Sequence, residues 1–304
     1  MQLLDAARTA ESLPWPALVD ALRDMLRRRH AGLTAAPERL AVPLAGGTLL
    51  AMPATDGEYA STKLVTVHEG NAALGLPVLL GEVLLMRADT GERLLMLDGP
   101  TATARRTAAM SALAALELAP SRRQSLLVVG AGVQASAHLE AFVALLGVRR
   151  VRVCSRNPDH AAALAERGRA HGVDCAAVAT PDEALDDADL VVTATTATVP
   201  LFRDHPAFAG FVAAVGAFRP DMCELPAALV ARAALYVDDL AGARHEAGDL
   251  LQAGVDWSAV TPLERVIAGD APRPAQGPIV FKSVGQALWD LAACRVAWTR
   301  ASAV

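Results

Sequence analysis

Leu126-Leu127-Val128-Val129-Gly130-Ala131-Gly132-Val133-Gln134-Ala135 runs an apolar strand directly into a glycine turn, and Ser136 to Leu146 continues it as a helix. In a strand–turn–helix context the first glycine makes the tight turn. The second lets backbone N–H groups approach a pyrophosphate, and the small residue at 135 lets the helix pack on the strand. A lone G-x-G-x-x-A pattern is weak, so its surroundings decide. Val151 to Cys154, Leu190 to Thr193, Phe211 to Val215 and Leu235 to Val237 are further short apolar runs, mostly separated by helical stretches of ten or more residues. That alternation predicts a doubly wound parallel sheet, and with the turn it implies a dinucleotide-binding domain and an oxidoreductase.

Upstream the rhythm differs. Residues 13 to 31 have Trp15, Leu18, Val19, Leu22, Met25 and Leu26 near helical spacing and predict one amphipathic helix opened by Ser12 or Pro14. Leu40 to Leu44, Thr48 to Met52, Ser61 to Val67, Pro77 to Leu85 and Leu94 to Leu97 read as strands. They are punctuated by Gly46-Gly47, Asp56-Gly57, Glu69-Gly70-Asn71 and Asp89-Thr90-Gly91-Glu92, which predicts an antiparallel sheet. A helix from Thr103 to about Leu118 leads into the second domain. A last helix, Ser283 to Thr299, follows the Pro-rich stretch 270 to 278 and is expected to rejoin the first. The division predicted is 1–119 with 283–304 as an α+β substrate-binding and dimerisation domain, and 120–282 as the dinucleotide-binding domain.

At 304 residues and 53% hydrophobic content the chain can bury two cores. Its 28 basic and 33 acidic residues give a net charge of −5 with no block of like charge, which argues against nucleic acid and membrane surfaces as partners. No apolar run approaches the ~20 residues of a membrane span, and charges at Asp5, Arg8 and Glu11 rule out a signal core there. Cys154, Cys175, Cys223 and Cys294 are far apart and read as buried thiols. A cytoplasmic protein is expected.

The tip of the second strand of the dinucleotide-binding domain should meet the adenosine ribose. Ser155-Arg156-Asn157 stands there with no carboxylate for a 2′-hydroxyl, whereas Ser155 and Arg156 suit a 2′-phosphate. NADPH is therefore the expected cofactor and NADH the alternative, with Asp159 as a ribose ligand in that case.

Lys63 in a strand, Asp98-Gly99 followed by Thr103-Ala104-Arg105-Arg106-Thr107-Ala108-Ala109, the glycine turn, Glu246-Ala247-Gly248-Asp249-Leu250 and Lys282-Ser283-Val284-Gly285 form a specific set. In these motifs, over essentially its whole length, the chain resembles the ornithine cyclodeaminase and μ-crystallin family. The resemblance implies an N-terminal sheet domain that forms the substrate pocket and much of a homodimer interface, facing a Rossmann domain that presents the nicotinamide. It also implies that Arg39, Lys63 and Arg106 bind a substrate carboxylate, with Arg105 the weaker candidate. The chemistry agrees, because guanidinium forks and an ammonium hold a carboxylate with charge-assisted hydrogen bonds. Lys63 is the leading candidate for protonating an imine, with Glu246 or water as alternatives, although Glu246 could equally be a helix-opening residue. The cofactor set comprises Gly130, Gly132, Val133, Gln134, Ala135, Ser155, Arg156, Thr107 and Ser283.

Two departures from the family's cyclodeaminases narrow the reaction. Their Gly-x-Asp-x-Pro-Gly-Lys segment is Gly216-Ala217-Phe218-Arg219-Pro220-Asp221-Met222 here, so Phe218 replaces the carboxylate that holds the amine of ornithine. A second acidic amine ligand ahead of Met52-Pro53 is replaced by Leu50. A pocket bounded by Leu50, Phe218 and Val78 suits a hydrocarbon ring, and the segment resembles that of the family's ketimine reductases. Reduction of Δ1-pyrroline-2-carboxylate or Δ1-piperideine-2-carboxylate to L-proline or L-pipecolate is the implied activity. Ornithine cyclodeaminase, alanine or N-alkyl amino acid dehydrogenase and an NADPH-dependent binding protein resembling μ-crystallin are the alternatives. His245-Glu246 lacks a second His four residues on, so no zinc is expected, and His138 reads as a packing residue.

Overall fold

The computed structural model describes residues 1–302. The chain divides into two compact units, one of Met1–Arg106 joined by the stretch from Gln286 onward, the other of Thr107–Gly285.

The first unit opens with β1 (Gln2–Leu4), α1 (Ala6–Ser12) and α2 (Trp15–His30). The single helix expected over 13–31 is α2, and α1 before it was not foreseen. Asp5 accepts from the Arg8 N–H as the N-cap of α1, and Pro14 caps α2, where the fixed φ of proline costs nothing. Strands β2 (Leu40–Leu44), β3 (Gly47–Thr55), β4 (Tyr59–Val67), β5 (Leu79–Arg87) and β6 (Arg93–Asp98) follow as expected. The six-stranded sheet has the order β1-β6-β5-β4-β3-β2. It is mixed rather than wholly antiparallel, because β1 joins β6 in parallel. Period-two alternation sorts its faces. Met52, Lys63 and Val83 share one register row, and Leu50 and Val65 lie on the same face. Leu40, Val42, Leu64 and Leu80 point to the other.

Helix α3 (Gly99–Leu118) begins four residues earlier than expected. Asp98 Oδ1 accepts from the Thr101 N–H at 2.9 Å, and Pro100 sits in the first turn, where its missing N–H has no helical partner to lose. Gly-Pro therefore starts this helix instead of breaking it.

The second unit is the doubly wound element. Its chain order is β7 (Ser125–Val129), α4 (Val133–Leu146), β8 (Arg150–Cys154), α5 (Pro158–Ala170), β9 (Asp174–Ala177), α6 (Asp182–Leu185), β10 (Leu190–Thr193) and β11 (Phe211–Ala214). Then come α7 (Ala227–Arg232), β12 (Ala234–Val237), α8 (Leu240–Glu246), α9 (Gly248–Ala253), β13 (Thr261–Pro262), α10 (Leu263–Ala268) and β14 (Ile279–Lys282). The sheet is eight-stranded, order β13-β12-β14-β11-β10-β7-β8-β9, and every pairing in it is parallel. β9, β13 and β14 were not foreseen, and β14 lies in the sheet interior between β11 and β12. All four residues of β10, β11 and β14 are buried, as strands covered on both faces require.

The last helix, α11 (Ala287–Ala301), starts at Gln286 rather than Ser283 and belongs to the first unit. It packs on α2 and across β3, β4 and β5, the face that carries Lys63. Trp289, Leu291 and Cys294 are wholly buried in this layer. All four cysteines are buried and free, and among the described residues no helix is long and apolar enough to cross a membrane.

Candidate active site

In the first unit three elements bring three charges together. Lys63 on β4 is only 4% exposed, Arg106 on α3 is 5% exposed, and Asp290 on α11 is fully buried. Lys63 Nζ lies 2.8 Å from Asp290 Oδ2, and Arg106 Nε donates to Asp290 Oδ1 at 3.0 Å. Burial and the charges of Arg106 and Arg39 draw the Lys63 ammonium down to about 8, and Asp290 opposes them. Burial would push Asp290 up, but Lys63 and Arg106 hold it below the usual carboxylate range. Arg39, half-buried ahead of β2, is close enough for its charge to act on Lys63. The structure thus gathers the three expected cations in one region and adds a carboxylate that sequence reading missed. Asp290 stands in the apolar first half of α11, residues 287–294, where a lone acid is costly without partners, and that was the signal available.

Arg105 has another task. Its Nε donates to the Leu13 carbonyl at 2.9 Å, and its guanidinium stacks over Trp15 at 3.9 Å. Leu50 lies two residues from Met52 on the Lys63 face of the sheet and is half-buried. Val78 precedes β5, is 40% exposed, and has the parity of the opposite face, so the register does not set it beside Leu50.

In the second unit the glycine turn has the form a pyrophosphate needs. Gly130 has φ +121, and a Cβ there would meet the Ala194 carbonyl oxygen at 2.5 Å, so only glycine fits. Gly132 is the N-cap of the fourteen-residue α4, no side chain caps that helix start, and the space beside Gly132 is open. The exposed Val133 and half-buried Gln134 lie in the uncapped first turn, while Ala135 is buried against the sheet. Unsatisfied N–H groups at a helix start attract an anionic phosphate. The fit to a dinucleotide is therefore good. At the tip of β8, Ser155 is half-buried and Arg156 exposed. Asn157 caps α5 by accepting from the Asp159 N–H at 2.9 Å.

The remaining expected residues fall as follows. Thr107 is buried on α3. Ser283 Oγ donates to Asp238 Oδ2 at 2.8 Å, and Asp238 also accepts from the N–H groups of Val284 and Gly285, so this side chain orders the turn after β14. Glu246 is the last residue of α8 and directly precedes Ala247, the N-cap of α9. Phe218 is 40% exposed, with Arg219 5.9 Å from its ring. The segment that carries it is held tightly. Glu224 accepts from Thr193 Oγ1, from the N–H and Oγ1 of Thr195 and from the Gly216 N–H, all at 2.7–2.8 Å. Asp249 accepts from the N–H groups of Glu224 and Leu225 at 2.6 and 2.9 Å and pairs with Lys282 Nζ at 2.9 Å. His138 Nδ1–H donates to the Gln134 carbonyl at 2.7 Å, while Nε2 accepts from Ser111 Oγ at 3.0 Å. Burial draws it down to about 4, as befits a neutral packing residue.

Comparison with known proteins adds a wider frame. The model of the ornithine cyclodeaminase/mu-crystallin family matches residues 2–304. A Δ1-pyrroline-2-carboxylate reductase of Burkholderia multivorans is 46% identical over 297 residues, covering 97% of this chain and 94% of that protein. The mouse ketimine reductase mu-crystallin is 37% identical over 294 residues, covering 95% of this chain and 92% of that protein. The solved structure of the Thermococcus litoralis Δ1-pyrroline-2-carboxylate reductase with NADH and L-proline superposes with a TM-score of 0.91 at 26% identity. It covers 100% of this chain and 98% of that one. The chain belongs to the ornithine cyclodeaminase/mu-crystallin family.

Proposed function

We propose that the protein is a nicotinamide-dependent ketimine reductase that converts Δ1-pyrroline-2-carboxylate or Δ1-piperideine-2-carboxylate to L-proline or L-pipecolate. The observation that carries the reading is the buried Lys63–Asp290–Arg106 cluster, which offers cationic donors on a sheet face otherwise lined by Leu50, Met52 and Val65. A cyclic imino acid matches it: one carboxylate and a hydrocarbon ring. The names of the relatives at 45–46% identity point to the same substrates.

Gly130, Gly132, Val133, Gln134 and Ala135 would hold the dinucleotide phosphates, and Thr107 and Ser283 complete the cofactor set. When bound, the reduced nicotinamide supplies the hydride. Arg106 and Arg39 bind and orient the substrate carboxylate, and binding energy spent on orientation lowers the barrier by fixing the reacting geometry. Lys63 holds a proton at Nζ and delivers it toward the imine nitrogen, which makes the imine carbon the better hydride acceptor. An ammonium whose ordinary value is drawn to about 8 is well placed for this, because it is protonated at neutral pH yet gives its proton up readily. NADPH is the preferred cofactor, since Arg156 is exposed at the tip of β8 with no carboxylate beside it at 155 or 157. We assign the protein to the cytoplasm and to a homodimer that closes on the outer face of the first unit's sheet.

The test is direct. Purified protein and NADPH are mixed with either cyclic ketimine and the nicotinamide absorbance is followed. Stoichiometric NADPH consumption is expected, with no ammonia released from ornithine; comparable ammonia release from ornithine by the unmodified protein would overturn the reading.

A further inference from the structure

Arginine supplies 26 of the chain's 28 basic residues. Its two lysines, Lys63 and Lys282, are both buried, and each pairs with a buried aspartate. An ammonium differs from a guanidinium in being compact and in releasing its proton near physiological pH once water is withdrawn. At Lys63 that difference bears on the reaction, and the aspartate becomes part of the chemistry.

We propose that Asp290 is a positioning residue of the substrate site, binding Lys63 through one oxygen and Arg106 through the other and so fixing which of their donors remain for the substrate. The inference rests on the reductase reading and deepens it. Arg106 reaches Asp290 through Nε, which leaves the Nη1/Nη2 end of the guanidinium for a carboxylate. Lys63 gives one direction to Asp290 and keeps the others for the imine side. Charge balance adds a second role. Arg39, Lys63 and Arg106 gather three positive charges, and a substrate carboxylate answers only one of them; Asp290 answers another before the substrate arrives. The site can then accept an imine that becomes cationic.

The groups facing this pair can be named element by element. β4 contributes Lys63, α3 contributes Arg106, and the segment before β2 contributes Arg39. On α11 itself, the buried Cys294 thiol is pushed up by burial and then by Asp290, so it stays neutral. From α2, Arg29 stacks over Trp289 at 5.8 Å. Asp56 and Glu58 at the β3–β4 turn are both taken by Arg295. Asp290 is thus the carboxylate that opposes burial at Lys63, whose proton would otherwise leave at lower pH.

Two lysines make the experiment clean. The whole protein, grown with lysine isotopically labelled at Cε, gives two side-chain resonances, and Lys63→Met assigns them. In the unmodified protein the Lys63 resonance should titrate near pH 8. In Asp290→Asn its midpoint should fall by at least about one unit, which is a tenfold change in proton affinity. KM for the ketimine should rise at least tenfold, while NADPH affinity is unchanged. A folded Asp290→Asn protein with an unmoved Lys63 midpoint, or with an unchanged KM, overturns the proposal. Should that variant fail to fold, Asp290→Glu decides: it keeps the charge but displaces it, so the Lys63 midpoint should stay near 8 while KM rises several-fold, and a wild-type KM overturns the proposal. If the unmodified protein reduces no cyclic ketimine, the reductase reading fails, and the Lys63 titration still reports on Asp290.

Discussion

A buried ammonium and a buried guanidinium on one carboxylate can be removed only at a cost to both the chemistry and the fold. Lys63→Ala and Arg106→Ala should each lower kcat/KM by the equivalent of about 2–5 kcal/mol, the usual loss when one partner of a desolvated charge pair goes. The cluster adds an effect that the sequence did not announce: each substitution also strips a partner from Asp290, so melting temperatures should fall too. A variant that keeps wild-type turnover would remove that residue from the substrate site, and one that keeps a wild-type melting point would show that its pairing with Asp290 adds nothing to stability. At β8, Arg156→Ala should weaken NADPH use several-fold more than NADH use, and equal loss with both would remove the phosphate role. His138 gives a pH prediction whose sign is fixed. Its folded value is about 4 against an ordinary 6.5, so below pH 6.5 the unfolded chain takes up a proton that the folded one refuses. Stability should fall as pH drops from 6.5 to 4, by about 3 kcal/mol in all. In His138→Gln the fall in urea midpoint between pH 7 and 4.5 should be shallower; an unchanged slope would clear His138 of the effect.

Elements were legible where local pattern and tertiary role agree. The strand runs before Ala102 and the strand–turn–helix at Val129–Gly132 were readable because alternation and a required glycine are local facts. β14 was not. Its four residues Ile279–Lys282 follow a Pro-rich stretch, precede no helix of the same unit and end in a lysine that breaks the apolar run. Only the interior sheet position and the Asp249 partner, 33 residues away in sequence, explain that lysine. Asp290 was missed for the same reason, since its partners lie on β4 and α3, far away in sequence. The glycine turn and the family motifs thus located the expected residues, while the groups that orient them are long-range. Lys282→Met tests this at the scale of the element. It leaves Asp249 buried and uncompensated beside Glu224, whose own carboxyl is already pushed up by burial. Removing one partner of a buried pair costs about 3–5 kcal/mol. The loss should be seen in urea unfolding and should loosen the segment around Phe218, because Asp249 holds the backbone of Glu224 and Leu225.

On the scale of the whole molecule, the first unit's sheet poses a burial problem that one chain leaves open. α11 and α2 make the layer behind the Lys63 face. On the opposite face Leu40 is 61% exposed, Leu64 47%, Leu80 43% and Val42 40%, and all five residues of the edge strand β2 are exposed. Exposed apolar side chains beside an open strand edge invite association, and soluble proteins cover such edges or pair them. A second copy of the chain is the economical cover, because a two-fold interface matches a patch with itself and Leu, Val and Ala surfaces are self-complementary. The outer-face side chains take no part in the packing beneath α11, so changing them should spare the fold. Leu64→Glu combined with Leu80→Glu places like charges at the centre of the proposed interface, where desolvating them is costly. Sedimentation velocity at micromolar concentration should find the unmodified protein dimeric and the double variant monomeric with an unchanged circular dichroism spectrum. A monomeric unmodified protein, or a double variant that still dimerises, would show that this face is not where two copies meet.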